Sequence, residues 1–236
     1  MRVEALTPRM TAIAEILVCS SVPTQVLIAS ILRMAGWLPF DEAGQLSLLF
    51  VVALSIADTA VLVGLMVALT VAHGERVSEL WLGNRPVRRE AIIGALLIPV
   101  VFFLVVVLLN VLMAVAPWLH NVPTNPLEQM AGTAGGAALL AIVAILAGGV
   151  REELQRAFLL RRFEQHLGGA AAGVVVLSVA FGLGHNVQGW DAVITTGLLG
   201  AFWAVLYLRR RSTVAPLVSH AGFNALEVLR AALTGQ

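Results

Sequence analysis

From Ala91 to Val115 the chain runs without one charged side chain, long enough to cross a bilayer as a helix. A spanning helix needs about 20 mostly apolar residues, because its backbone N–H and C=O groups must pair within the segment where no water reaches them. Six more stretches are candidates: Ile13–Leu32, Leu46–Val71, Ala134–Leu160, Ala171–Asn186, Ala192–Leu208 and Val214–Leu233. Ala171–Asn186 and Ala192–Leu208 are short for a span. The chain is 59% hydrophobic and 12% charged, and soluble domains carry about twice that charge. With no internal repeat, the sequence predicts one all-α domain over residues 1–236, a polytopic membrane helical bundle of about seven transmembrane helices.

The 15 basic residues are all arginine, and they cluster between apolar runs. Arg2 and Arg9 precede the first span; Arg76, Arg85, Arg88 and Arg89 lie between the second and third; Arg161 and Arg162 follow the fourth; Arg209, Arg210 and Arg211 follow the sixth. The alternate connections hold almost none. The positive-inside rule then puts the N-terminus in the cytoplasm, and Trp37, Trp118 and Trp190 at the opposite interface. The segment Glu75–Glu90 is expected to lie on the inner surface as a short amphipathic element. The lipid bilayer is thus an expected partner; no basic face is left free for nucleic acid. Met1–Thr11 shows no cleavage site, so the first run is expected to be a retained span. The single cysteine, Cys19, excludes a disulfide framework and a cysteine metal site.

Three polar clusters interrupt this apolar background: Arg151-Glu152-Glu153-Leu154-Gln155-Arg156, Phe181 to His185, and His220 to Asn224. Ionisable groups at membrane depth are costly and mark functional sites. Helical spacing puts Glu152 beside Arg156 with Glu153 flanking the same guanidinium. Glu152 falls about 13 Å deeper than Arg161 and Arg162 by helical rise, and His220 about 10 Å from the arginine triplet. His185 comes out deeper, at about 16–22 Å, a gap that tilt or a broken helix would have to close. Together these groups suit hydrolysis: a glutamate takes a proton from water, a histidine carries it onward, and a histidine with an asparagine faces an oxyanion. Histidine and carboxylate also suit zinc, but no HExxH is present.

The chain resembles the CPBP family of intramembrane proteases, the CAAX prenyl endopeptidase and Abi group. The family's pattern is EExxxR on one span, FxxxH on the next and HxxxN near the end. Phe181–His185 and His220–Asn224 match in order, as does the approach Ala215-Pro216-Leu217-Val218-Ser219. The likeness runs from Ala134 towards the C-terminus, with a motif core over 134–233. One position departs: this chain reads EExxR, with Arg156 one residue early and Ala157 in the expected place. Anchored on the glutamates, the resemblance makes Glu152 the general base and Glu153 its neighbour. It implies an integral membrane endopeptidase of the bacterial inner membrane, acting on a protein or peptide substrate, with Glu152, Glu153, Arg156, His185, His220 and Asn224 as catalytic residues. No cofactor is firmly expected; zinc is the one candidate, with Glu152, His185 and His220 as its ligands if it is bound.

These residues are expected to converge on one cavity open to the cytoplasm. Asp58, central in the second span, is a further candidate for pairing with an arginine or lining that cavity. Glu227 and Arg230 are expected to pair with each other, Glu15 to snorkel to the interface, and His73, His120 and His166 to play no chemical part. Two other classes compete: a non-catalytic immunity or scaffold protein on the same fold, and a proton-coupled transporter. The complete Glu, His, His, Asn set weighs against the first, and the lack of repeated halves against the second.

Overall fold

The computed structural model describes residues 7–42, 44–123, 125 and 128–234; Arg2 lies outside them. The chain folds as α1 (Pro8–Val18), α2 (Val22–Met34), α3 (Leu48–Ala72), α4 (Val77–Trp81), α5 (Val87–Val115), α6 (Ala134–Val143), a π-helix (Ala144–Arg151), α7 (Glu152–His166), α8 (Gly169–Leu183), α9 (Trp190–Arg210) and α10 (Val214–Thr234). Among the described residues the only β-pairing is the bridge between Phe40 and Leu46. This is a helical membrane bundle. Five helical stretches are long and apolar enough to cross: Pro8–Met34, Leu48–Ala72, Val87–Val115, Ala134–His166 and Trp190–Arg210. α8, with 15 residues, is shorter, and α10 is not among the five, so the count of seven is looser than the sequence implies.

Local chemistry explains the boundaries. Ser47 and Thr133 each accept a hydrogen bond from the backbone N–H three residues on, capping α3 and α6. The first expected span is divided at Ser21, whose φ of 71° breaks the helix between α1 and α2. The fourth runs on to His166, with the π-helix in its middle and the Glu152–Glu153 pair directly after it. A π-turn widens the helix by one residue and is often found beside functional groups.

One end of the bundle is held by ion pairs. Arg210 grips the buried Glu90 through two bonds of 2.9 and 2.5 Å, and Arg211 grips Glu164 at 2.8 and 2.7 Å. Arg162 meets Glu15 at 2.6 Å and His73 meets the same carboxylate at 2.5 Å. Glu15 therefore does not snorkel; it is buried as the shared anion of α1, α3 and α7. Burial opposes the charge of nearby Glu75, but its hydrogen bond from Gln165 and the charges of Arg162, Arg161 and His73 hold its carboxyl below the usual range. α4 is short, as expected, but turns inward: Leu80 is buried against Leu62, Met66 and Phe158, and Trp81 donates to the Leu154 carbonyl. At the opposite end His120 bonds Asp191 at 2.7 Å and Asn121 accepts from the Trp190 amide.

Candidate active site

The turn that carries Glu152 and Glu153 is packed against α10 with almost no side chain between them. A Cβ on Gly149 would lie 2.7 Å from Ala221 Cα, and one on Gly148 would strike the Asn224 amide. Only glycine allows this approach, which brings the carboxylates within reach of His220. Glu153, 1% exposed, pairs with Arg156 and accepts from Nδ1 of His220 at 2.8 Å. A carboxylate held by a guanidinium only accepts, so Nδ1 carries a proton, and in the neutral ring Nε2 presents its lone pair. That Nε2 lies 3.9 Å from Oε2 of Glu152, which is the less buried carboxylate at 17% exposure.

The His220 ring is fixed from both sides. It stacks on Trp203 at 3.7 Å with planes 15° apart, and Phe181 meets it edge-on at 6.1 Å. The Arg156 guanidinium lies over Phe181 and near Trp203, so both rings contact His220 and the cation of the cluster at once. Trp203 went unremarked in the sequence. Its signal was an indole in mid-span, away from either interface where such rings ordinarily sit.

His185 lies just past the end of α8 rather than on it. Its Nδ1 is 2.8 Å from the Phe181 carbonyl, one of the acceptors a helix end leaves free. A carbonyl cannot donate, so Nδ1 of this ring also carries a proton. Phe181 stands 4.8 Å from the His185 ring and 6.1 Å from that of His220, which limits the two imidazoles to about 11 Å apart. No broken helix is needed to bring His185 level. Counted from the α7–α8 turn, Glu152 and His185 rise by about 21 and 24 Å. The larger mismatch arose from taking Arg161 and Arg162 as the end of a helix that continues to His166. Asn224, one turn beyond His220 on α10, donates to the Ala144 carbonyl at 3.2 Å, where the π-helix begins.

One expectation needs correction. Arg156 does not bridge both glutamates: it serves Glu153, while Glu152 accepts from Nη2 of Arg151 at 3.1 Å. Arg156 is drawn towards Phe181 and Trp203, and Glu152 turns towards Arg151, which is anchored on the other side by Asp58. Two clefts on the molecule are lined by other residues. One is bounded by residues such as Glu75, Arg161, Tyr207 and Arg211 at the arginine-rich end, the other by residues such as Leu38 and Phe40. The Trp203 and Phe181 rings pack against His220. Among the described residues no three His, Cys, Asp or Glu side chains converge as metal ligands. The set Glu152, His185 and His220 thus does not fit a tetrahedral zinc, which needs three protein ligands at about 2.0–2.2 Å.

Residues 134–226 match the family model described as type II CAAX prenyl endopeptidase Rce1-like. This is the CPBP/CAAX protease family that the motifs resemble, and the matched segment contains every one of the six candidate residues. No curated protein and no solved structure matches the chain.

Proposed function

We propose, on the premise that the motif-bearing segment is of the CAAX protease family, that the protein is an intramembrane endopeptidase cutting a lipid-anchored, CAAX-like protein or peptide. The observation that carries this reading is the 3.9 Å between Glu152 Oε2 and His220 Nε2. That distance is too long for a direct hydrogen bond and suits one water oxygen donating to both at about 2.8 Å. Both acceptors face such a water only because Glu153 fixes the His220 tautomer. Glu152 takes the proton as the water oxygen bonds to the scissile carbonyl carbon. The second amide N–H of Asn224 and a protonated His185, donating from Nε2, stabilise the oxyanion. The proton on Glu152 then passes to the leaving amine as the C–N bond breaks.

The arginine-rich end is assigned to the cytoplasm of a bacterial inner membrane, with the N-terminus on that side. The test is hydrolysis by the full chain reconstituted in liposomes. A quenched fluorogenic peptide ending in a farnesylated CAAX sequence is compared with the same peptide lacking the lipid. Faster turnover of the farnesylated peptide is expected. Cleavage of neither, with the protein folded, would overturn the protease reading; equal cleavage of both would remove the lipid from the substrate class.

A further inference from the structure

Glu152 is held by a second network that the catalytic motifs do not contain. Arg151 precedes the glutamate pair and is 9% exposed at its side chain. Its Nη2 donates to Glu152 at 3.1 Å, and its Nη1 reaches Asp58 Oδ2 at 2.5 Å and the Ser21 hydroxyl at 3.1 Å. Asp58, in the middle of α3, is wholly buried. Its other oxygen lies 2.5 Å from the Thr24 hydroxyl, and Gln25 Nε2 is 3.3 Å from Oδ2. The break at Ser21 serves the same end: Gln155 of α7 donates to the Cys19 carbonyl at 2.5 Å and to the Ser21 hydroxyl at 3.3 Å. A guanidinium is a planar fork and can hold two carboxylates in fixed directions, which an ammonium cannot.

We propose that Asp58 and Arg151 form a positioning pair for Glu152, so that the helices before the matched segment set the geometry of the hydrolytic base. The pair touches no reacting atom. It acts by holding the Glu152 carboxylate where one oxygen remains turned to His220. The inference rests on the assignment of Glu152 as base. A displacement of about 1 Å at such a group costs on the order of 10²-fold in turnover.

The experiment measures kcat and KM on the farnesylated peptide for reconstituted Asp58→Asn, Arg151→Lys and the double variant Asp58→Asn/Arg151→Gln. The double variant leaves no lone charge buried, so it keeps the test open if a single variant fails to fold. For the double variant the expected result is a fall in kcat of about 10–100-fold with KM and thermal stability little changed. Arg151→Lys should recover part of that loss. A double variant with parental kcat, or one whose KM rises while kcat holds, overturns the pair's role. A second readout needs no substrate: carbodiimide-driven labelling of Glu152 with glycine ethyl ester, followed by mass spectrometry. Labelling should rise in the folded double variant, whose Glu152 is no longer tethered; unchanged labelling overturns the proposal even if the parent cleaves nothing. Loss of activity in the parent alone tells against the protease reading, not against the tether.

Discussion

Two carboxylates adjacent in sequence sit in networks of different origin. Glu153 belongs to a set drawn from α7, α8, α9 and α10: Arg156, His220, Phe181 and Trp203. Glu152 faces His220 as well, but its arginine leans on Asp58 of α3 and on Ser21 at the α1–α2 break. The first network is buried and closed, with every charge matched, and holds a histidine in one tautomer. The second leaves its carboxylate partly exposed and tethered by one bond. An anion meant to orient is best sealed in; one meant to exchange a proton with water must stay reachable. In the proposed mechanism, burial divides the labour between two chemically identical side chains.

The sharpest way to break this comparison is Glu153→Gln, which strands Arg156 and releases His220. Removing one member of a buried ion pair costs about 3–5 kcal/mol, so thermal denaturation in detergent should show a large loss of stability together with loss of cleavage. A variant as stable as the parent would mean that the two carboxylates are not differently employed. Asn224→Ala comes next. With its oxyanion role, kcat should fall by about 10²–10³ while KM changes little, and a parental kcat would leave Asn224 only its bond to Ala144. Gly149→Ala presses a methyl group on Ala221 and should cost about 1–3 kcal/mol by overpacking, weakening both networks together; a neutral result would show that α10 yields easily there.

The smallest effect lies at the arginine-rich end and carries a pH signature. The Glu75 carboxyl is lowered from 4.5 in the folded chain, so its stabilising contribution is present above that pH and is lost as pH falls through the lower folded value. The stability difference between parent and Glu75→Gln, at most about 1 kcal/mol for a partly exposed pair, should shrink as pH drops below about 4.5. A difference that is constant with pH would show that Glu75 acts by packing.

Much of the bundle was legible because membrane helices announce themselves by apolar length, and the motif spacing placed Glu153, Arg156, His220 and Asn224 on α7 and α10 at local helical intervals. The family match covers residues 134–226, the segment that holds those motifs. What the sequence hid was long-range. Asp58 was open to pairing with an arginine, but nothing in its surroundings pointed to Arg151, 93 residues away. Helical spacing allowed Arg156 to reach both glutamates, and tertiary neighbours decided between them. The π-helix and the break at Ser21 also left no clear periodic mark, since neither glycines alone nor a serine in an apolar run specifies a change of helical pitch.

The central claim is that Glu152, not Glu153, acts on water while Glu153 holds the site in shape. The most direct test is the single-turnover cleavage rate of the farnesylated peptide by Glu152→Gln in liposomes, measured beside its thermal stability. The account predicts a rate lower by about 10²–10⁴-fold, the size of a lost general base, in a protein that melts with the parent. A Glu152→Gln variant that is folded and cleaves at the parental rate would contradict it.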